Sequence, residues 1–320
     1  MRLAILSRNK NLHSIRRLLQ EARRLHVHCD VINPLDCQMV LEGKQRKILV
    51  GGNELPRYDA VLPRIGASVT DYGLAVVKHF ESMGTYVVNG SRSISDSRDK
   101  MRSLQVLSEH GLRVPTTILA RGSRGIKPAI QAVKEMPMIL KILRGTQGVG
   151  VMLLHTPLSA ASVIDTLNTL DEDVLIQQFL KEGAGRDYRV FVVGGQIVAT
   201  MMRTAPRGEF RSNIHRGGEG SLVTLPKSYR NIAIRAASAF NLGVAGVDLM
   251  EGPQGATLLE VNSSPGFEGI EKATKKNIAG MIMRHVIESA RKKMRAARVK
   301  QAKKRASKKR KAPTKRRGRR

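Results

Sequence analysis

The sequence contains no tryptophan, two cysteines and few aromatic residues, which make up 3% of its 320 residues. Recognition of nucleobases by stacking relies on aromatic side chains, so this composition argues against a base-stacking nucleic-acid protein. Cys29 and Cys37 are too few for a disulfide framework or a four-cysteine metal site, and they favour a reducing cytoplasm. No apolar run approaches the roughly 20 residues of a membrane span, and the one at residues 1–6 is too short for a signal peptide.

Several sequence motifs for nucleotides and catalysis are also absent. Residues 7–10, which follow the first predicted strand, are Ser-Arg-Asn-Lys and contain no G-x-G-x-x-G pattern, so a dinucleotide role for this layer is unsupported. The glycine-rich segment at residues 145–150 is not followed by Gly-Lys-Ser/Thr and is therefore not a Walker A loop. No pairing of cysteine and histidine indicates a nucleophilic enzyme.

Acidic residues are missing from the C-terminal end, where Glu288 is the last acid of a chain with net charge +30. Residues 291–320 contain 18 lysine and arginine residues. A block of like charges with alanine, serine and proline cannot form a core, so this segment is predicted to be a disordered basic tail. It is either a solubilising element or a site that binds a polyanion, most simply RNA or DNA.

The order of apolar runs and breakers predicts an α/β (α+β) protein built from successive units. Alternating strands and helices predict an N-terminal βαβ domain with a parallel sheet at residues 1–90, with an exposed excursion at 44–56. A helix capped by Ser95–Asp96 is predicted to carry Asp99–Lys100 and to end at Gly111. A central subdomain at residues 91–185 and a C-terminal subdomain at 186–290 follow, and the basic tail completes the chain.

Residues 243–262 form the most informative part of the sequence. Two apolar, β-rich stretches surround the turn Gly252–Pro253–Gln254–Gly255, a pattern that predicts a β-hairpin. Folding back brings Asp248 close to Glu260, and because strand side chains alternate, Glu260 and Asn262 share one face. Three such oxygen ligands suit a hard cation such as Mg²⁺. The alternative is a solvated hairpin whose acids face water.

A lysine on a strand precedes the glycine-rich segment. Lys141 is followed by glycines at 145, 148 and 150, which allow backbone N–H groups to approach phosphates closely. An ordinary hairpin turn explains this pattern equally well when it is taken alone. Together with Lys100 upstream and the acidic hairpin downstream, however, it forms an ordered set.

Over about residues 1–290 this ordered set resembles the ATP-grasp superfamily, and within it the RimK family of α-L-glutamate ligases. The stretches that carry the resemblance are Ala-Val-Leu-Pro-Arg-Ile-Gly at 60–66, Arg-Asp-Lys-Met-Arg-Ser at 98–103, Gly-Thr-Gln-Gly-Val-Gly at 145–150, Phe-Arg-Ser-Asn-Ile-His-Arg-Gly-Gly at 210–218, Val-Ala-Gly-Val-Asp at 244–248 and Glu-Val-Asn-Ser-Ser-Pro-Gly at 260–266.

The resemblance implies an ATP-grasp fold with an N-terminal pre-ATP-grasp domain, and it implies a homo-oligomeric enzyme. Its implied activity is ATP-dependent ligation of L-glutamate to the C-terminal carboxylate of a small-subunit ribosomal protein, with release of ADP and phosphate. A carboxylate is a poor electrophile, so the implied route passes through an acyl phosphate that the amine of glutamate attacks. The implied cofactors are ATP and two Mg²⁺ (or Mn²⁺) ions. No membrane partner is implied.

The resemblance also assigns roles by position. It implies that Asp248, Glu260 and Asn262 bind the two metal ions. Its implied ATP-binding residues are Lys100, Lys141, Gln178, Phe179, Asp187, Arg211, Ser212 and Asn213. One departure concerns Gln178, because the family has a glutamate at this position in the strand beside the adenine. The basic tail is a second departure, since typical members lack it.

Arginines near the expected reaction centre are further candidates. Arg203 and Arg207 flank the expected position of the acyl phosphate. A guanidinium group can bind two oxygens of this phosphate in a bidentate manner. Arg203 and Lys141 are the predicted catalytic residues, and Arg207 is either a substrate residue or a surface residue. Arg64 follows the third strand of the parallel sheet and either receives a substrate carboxylate or caps the structure.

Two alternatives remain open at the level of sequence. A fold of this kind determines the nucleotide chemistry better than the substrate, so another ATP-grasp ligase with a different amine or acceptor is the nearer one. The other is a nucleic-acid-binding protein with an inactive core, against which the retained lysines and acids argue.

Overall fold

The computed structural model of the protein describes residues 1–66, 69–121, 133, 136–143, 150–169, 173–212 and 217–310. The glycine-rich segment at 145–149, Asn213 and the last ten residues lie outside these ranges.

The N-terminal part confirms the predicted βαβ arrangement. Its helices are α1 His13–Arg24, α2 Thr70–Ser82 and α3 Ser91–Arg98. Its strands are β1 Arg2–Leu6, β2 His28–Ile32, β3 Cys37–Glu42, β4 Gln45–Val50, β5 Asn53–Glu54, β6 Ala60–Pro63 and β7 Tyr86–Val87. A parallel sheet has the order β2-β1-β6-β7, and the predicted excursion is a small antiparallel sheet, β3-β4-β5. Helix α1 forms because Ile15, Leu18 and Ala22 recur at helical spacing and are buried.

The predicted single helix between Ser95 and Gly111 is wrong, because the chain breaks it at Asp99. Asp99 has an extended backbone, and its carboxylate accepts a hydrogen bond from the backbone N–H of Arg102 at 2.9 Å. It is therefore the N-cap of a new helix, α4 Lys100–Glu109. This cap places Lys100 at the first position of a helix.

The middle part carries an antiparallel sheet of order β10-β9-β11-β8. Its elements are β8 Thr117–Ala120, β9 Met138–Ile142, β10 Val151–Leu154, α5 Pro157–Thr169 and β11 Val174–Gln178. Leu140, Ile164 and Ile176 are fully buried between this sheet and α5.

The third part carries a sheet of order β14-β13-β12-β15-β16, in which neighbouring strands are antiparallel. Its elements are β12 Arg186–Val193, β13 Gln196–Thr204, β14 Glu219–Leu222, α6 Lys227–Ala239, β15 Val244–Gly252, β16 Gly255–Asn262, α7 Glu268–Thr274 and α8 Ile278–Arg310. Strands β15 and β16 are the predicted hairpin.

Helix α8 connects the third part to the first. Its buried face shares one core with β1, α1 and β12, where Leu3, Ile15, Phe191 and Ile282 are each at most 2% exposed. The helix then continues through residues 291–310, so the disorder predicted for this stretch is corrected to helix. Lysine, arginine, alanine and glutamine favour helices, and extending an existing helix avoids the cost of nucleation. Within the described ranges, no helix has both the length and the apolar content needed to cross a lipid bilayer.

Candidate ATP and metal site

A cleft of about 970 Å³ lies where the three parts meet. Its walls include the start of α4, the middle sheet and one face of the sheet β14-β13-β12-β15-β16. It contains these predicted site residues: Lys100, Lys141, Gln178, Phe179, Asp187, Arg203, Arg211, Ser212, Asp248, Glu260 and Asn262. Residues up to 162 positions apart in the chain are thus brought to one place, and Arg64 and Arg207 are not among the lining residues.

Four charged residues that line the cleft, together with Arg189, form a row across four neighbouring strands. Asp187 on β12 pairs in register with Arg203 on β13. Arg189, two residues along β12, pairs with Asp248 on β15, which in turn pairs with Glu260 on β16. Cross-strand partners share a face, so the sheet register itself assembles this row.

Arg203 lies between two carboxylates. Its Nε donates to Asp187 Oδ1 at 2.6 Å, and its Nη2 donates both to Asp187 and, at 2.9 Å, to Asp248 Oδ2. Burial opposes the charge, but the carboxylates of Asp248 and Asp187 outweigh it and raise the pKa of Arg203. Asp187, one of the implied ATP-binding residues, lines the cleft but is only 5% exposed, and both of its carboxylate oxygens accept hydrogen bonds from this arginine. The Nε and Nη2 atoms of Arg203 donate to these acids, so a phosphate would have to bind the rest of the guanidinium group.

Arg189 is a candidate that the sequence interpretation missed. Its Nε donates to Asp248 Oδ1, its Nη2 donates to Asp248 Oδ2 at 2.6 Å, and Nη2 lies 4.0 Å from Glu260 Oε1. The available signal was the alternation along β12, which puts Arg189 on the same face as Asp187. That signal was insufficient because the pairing with Asp248 depends on a long-range strand register.

A β-bulge gives the acidic hairpin its geometry. The register shifts between Asp248 and Leu249, so Asp248 faces Glu260 while Leu249 faces Leu258. The extra residue, Leu259, allows Leu258 to stay fully buried while Glu260, two positions later, turns to the cleft. Asn262 also turns to the cleft, and its Nδ2 donates to Glu260 Oε1 at 2.9 Å. The predicted common face of Glu260 and Asn262 is therefore present.

These three residues fit a hard divalent cation by their donor chemistry. Two carboxylates and one amide provide oxygen ligands at the wall of a cleft wide enough for a nucleotide. No group of three or more histidine, cysteine, aspartate or glutamate side chains suited to a metal is found among the described residues, so the set depends on Asn262. Both oxygens of Asp248 accept hydrogen bonds from Arg189 or Arg203. A metal ion would therefore either share these oxygens with the two arginines or displace the arginines from them.

The pKa values of the two acids of this set are shifted in opposite directions. Burial alone would raise the pKa of Asp248, but Arg189 and Arg203 lower it to about 2, so Asp248 is ionised. Partial desolvation and the carboxylate of Asp248 raise the pKa of Glu260. Because 57% of the Glu260 side chain is exposed, the neighbouring charge of Asp248 contributes more to this rise than desolvation does.

Two lysines face the same space from the opposite side. Lys100 Nζ donates to the carbonyl of Leu143, and Lys141 Nζ donates to Gln177 Oε1 at 2.7 Å. Burial lowers the pKa of both lysines, whereas the nearby carboxylate of Glu260 favours their charged forms. An incoming polyphosphate would add further negative charge and stabilise both ammonium groups.

The end of β11 borders the cleft at Gln178 and Phe179, both half-buried. The backbone N–H of Gln178 donates to the carbonyl of Thr116 at 2.9 Å. This N–H is engaged in the sheet, so any contact between the backbone and an adenine edge has to come from other groups of the segment.

Arg211 and Ser212 line another wall. The Nη2 of Arg211 donates to Glu209 Oε2 at 2.7 Å, and its Nη1 donates to the carbonyl of Val151 at 3.3 Å. Ser212 is 4% exposed. Asn213, predicted beside them, lies outside the described residues.

Arg64 and Arg207 do not line this cleft. The Nη2 of Arg64 donates to the carbonyl of Pro265 at 2.7 Å, and its guanidinium lies 5.7 Å from the centre of the Phe267 ring. Burial and the charge of Arg98 lower the pKa of Arg64 to about 10. The geometry favours the structural interpretation of Arg64, and exposed Arg207 fits the surface interpretation.

A second cavity, of about 1040 Å³, lies between β7, α6 and α8. Tyr86, Phe240, His285 and Lys293 are among its lining residues. None of the predicted site residues lines it, so the chemistry indicated by the sequence is concentrated in the first cleft.

Comparison with known proteins shows the family to which the chain is similar. Residues 1–94 match the family described as RimK PreATP-grasp domain, and residues 97–286 match the family RimK-like ATP-grasp domain. A probable alpha-L-glutamate ligase of Vibrio vulnificus (strain YJ016) is 49% identical over 290 residues, which cover 91% of this chain and 96% of that protein.

Solved structures show the same fold. A RimK domain ATP-grasp protein from Sphaerobacter thermophilus DSM 20745 has a TM-score of 0.67 at 22% identity, with 90% of this chain and 100% of that chain covered. The ATP-grasp ligase PsnB, complexed with a minimal precursor, Mg and ADP, has a TM-score of 0.70 at 20% identity, with 91% and 98% covered.

Proposed function

The chain belongs to the RimK family of ATP-grasp proteins, and from this premise we propose that it adds L-glutamate to the C-terminal carboxylate of a ribosomal protein. It has the ATP-grasp fold and is an ATP-dependent ligase of that family, as the sequence resemblance predicts. The inactive-core alternative is therefore set aside. The observation that carries the proposal is the row from Arg203 to Glu260, which faces Lys100 and Lys141 across one cleft.

The proposed first step activates the acceptor. A carboxylate oxygen of the acceptor attacks the γ-phosphorus of ATP, the bond to ADP breaks, and an acyl phosphate forms. Lys100 and Lys141 neutralise charge on the phosphate oxygens, because phosphoryl transfer depends mainly on positioning and charge stabilisation. Mg²⁺ ions, held by Asp248, Glu260 and Asn262, supply further neutralisation of the phosphates when bound.

In the proposed second step the amine of glutamate attacks the acyl carbon. An amide bond forms, the bond to phosphate breaks, and one proton of the amine is released. Arg203 supports this step by holding charge near the acyl phosphate. Its two carboxylate partners keep it fixed in place, so little reorganisation is needed when charge develops.

The proposed acceptor is a polypeptide terminus of the small ribosomal subunit. Peptide binding by the fold is supported by PsnB, whose structure contains a minimal precursor. In this chain Ile65, Thr70, Asp71 and Leu74 of the N-terminal part line the cleft beside the charged row. They provide a wall of mixed polarity on which an extended terminus can lie.

Further parts of the proposal come from the family resemblance and the composition. They are two metal ions, Mg²⁺ or Mn²⁺, a homo-oligomeric state, a cytoplasmic location in keeping with the free Cys29 and Cys37, and RNA as a partner of the basic C-terminal segment.

Release of ADP tests the proposed reaction. The full chain is mixed with Mg-ATP and a ribosomal-protein acceptor, and L-glutamate is compared with L-aspartate, L-lysine and no amino acid. The proposal expects ADP release to require both the acceptor and glutamate. Release that depends on a different amine supports the alternative of another ATP-grasp ligase.

A further inference from the structure

Helix α8 has an anchored half and a projecting half. Up to Ala290 it is tied into the core through Ile278, Ile282, Met283 and Val286, each at most 1% exposed. From 291 to 300 every residue is exposed except half-buried Met294. We call residues 291–310 the basic arm.

One contact fixes the direction in which the basic arm leaves the core. The Nζ of Lys293 donates to the carbonyl of Thr85 at 3.2 Å and lies 5.8 Å from the centre of the Tyr86 ring. The first turn after Ala290 is therefore held on the edge of the N-terminal sheet. Because the helix continues without a break to Arg310, the arm extends rigidly from that point.

The charge of the basic arm has one sign and no preferred face. It has 12 lysine and arginine residues among 20 and no acid. Arg291, Lys292 and Lys293 alone point in three directions roughly 100° apart. An interfacial membrane helix needs an apolar face, and the arm sequence provides none, because Met294 and Val299 are its large apolar residues and they lie roughly 140° apart on a helix.

The linear charge density of the arm is of the same order as that of a nucleic acid and opposite in sign. Twenty helical residues extend about 30 Å, so the arm carries a positive charge roughly every 2.5 Å. A nucleic-acid duplex has a negative charge about every 1.7 Å along its axis. No aromatic residue occurs between 291 and 320, so the segment is equipped to contact phosphates and not to stack on bases.

We propose that the basic arm is a rigid docking element for the phosphate backbone of RNA, which holds the ligase next to an acceptor on the ribosome. The choice of ribosomal RNA as the partner rests on the proposed function. The inference that the arm binds phosphate groups rests on its own charge and not on that function. Docking raises the local concentration of enzyme at the acceptor without a new contact in the cleft. None of the described arm residues lines the cleft, so docking and ligation are separable.

Two full-length variants test the role of charge. In the first, Arg291, Arg295, Arg298, Lys292, Lys300 and Lys303 are all changed to glutamine, which keeps a high helix propensity. In the second, the three lysines of this set become arginine and the three arginines become lysine, so charge is retained. Binding of labelled ribosomal RNA, poly-U and duplex DNA is measured by fluorescence anisotropy without ATP.

The proposal expects the native chain to bind these probes with an affinity that falls by about 10³-fold between 50 and 200 mM salt, as for six or more phosphate contacts. The glutamine variant should bind at least ~10-fold more weakly with a smaller salt slope, and the swapped variant should bind like the native chain. Equal affinity of the glutamine variant overturns the proposal. Binding to anionic phosphatidylglycerol vesicles, but not to RNA, overturns it in favour of a membrane partner.

A third variant tests rigidity. Ala297→Pro retains every charge and interrupts the helix in its exposed half. The proposal expects slower ligation on intact ribosomes and unchanged ligation on the free acceptor protein. If Ala297→Pro ligated glutamate on intact ribosomes at the native rate, the proposed rigidity of the arm would be wrong. Absence of ligation on the free acceptor by the native chain would contradict the proposed function and leave RNA docking standing on its own measurement.

Discussion

Arg189 and Asp248 face each other across neighbouring antiparallel strands, and the guanidinium fork of the arginine bonds both carboxylate oxygens, with Nη2 2.6 Å from Oδ2. Asp248 is 2% exposed. A buried carboxylate is costly unless it is paired, so this arginine keeps Asp248 ionised and oriented. The proposed metal site thus depends on a cation that belongs to the protein.

The first prediction concerns Arg189. Arg189→Met removes the fork and leaves Asp248 with Arg203 as its remaining partner, so the variant should lose about 3 kcal/mol of stability. Arg189→Lys retains the charge without the fork and should lose less. Thermal unfolding and Mn²⁺ binding by calorimetry check this. Native stability together with native Mn²⁺ affinity in the methionine variant would contradict a role for Arg189 in holding Asp248.

The second prediction concerns Glu260. Glu260→Gln preserves shape and removes one negative charge from the proposed metal site, so ATP turnover should be almost abolished. Because 57% of the side chain is exposed, stability should change by only about 0.5 kcal/mol. Glu268→Gln, 70% exposed and outside the cleft, is the matched control. Normal turnover of Glu260→Gln would count against the metal assignment.

The third prediction concerns Lys141. Lys141→Ala should weaken ATP binding and slow turnover by about 10²-fold, since it removes a positive charge that we propose binds the phosphates of ATP. Gln177 keeps its bond to Thr117, at 2.8 Å, so the sheet should remain intact. Steady-state kinetics and the melting temperature of the nucleotide-free protein are measured for Lys141→Ala. The same measurements on Lys227→Ala, a change of an exposed lysine, provide the control. An unfolded Lys141→Ala protein would show that the lysine is structural.

The fourth prediction is a pH dependence of stability at Asp30. Burial opposes ionisation, but Tyr58, His28 and Arg2 contact the carboxylate and bring its pKa below the ordinary 3.8. A carboxyl whose pKa is lower in the folded state stabilises the fold above about pH 4 and loses this contribution as pH falls through its folded pKa.

Asp30→Asn should therefore lose about 1–2 kcal/mol at neutral pH. Native and variant proteins should become equally stable under acid conditions below the folded pKa of Asp30. Urea unfolding across this pH range provides the measurement. A difference that stays constant down to the most acid condition would show that the effect of Asn is not electrostatic.

Much of the site was predictable because its residues follow local rules. The turn at 252–255 predicts the hairpin, and strand alternation predicts that Glu260 and Asn262 share a face. The bulge at Leu259 was not predictable, because it satisfies the burial of Leu258 and the cleft position of Glu260 at once. Arg189 was missed for a related reason, since its partner is 59 residues away.

The two helix corrections have local causes that compete in the sequence. Asp99 was interpreted as lying inside a helix, but its short side chain caps the next one. The basic arm has the composition of a disordered tail and also that of a strong helix former. Its continuity with the packed turns of α8 decides the outcome, and composition alone does not contain that information.

The central claim is ligation of glutamate to an acceptor carboxylate through an acyl phosphate. The most direct test uses an acceptor whose C-terminal carboxylate carries heavy oxygen, incubated with the enzyme, ATP, Mg²⁺ and L-glutamate. Intact-mass spectrometry should show the acceptor gaining whole glutamate residues, and the released phosphate should contain one heavy oxygen per ligation. An unmodified acceptor, or glutamate addition with no label in the phosphate, would contradict this account.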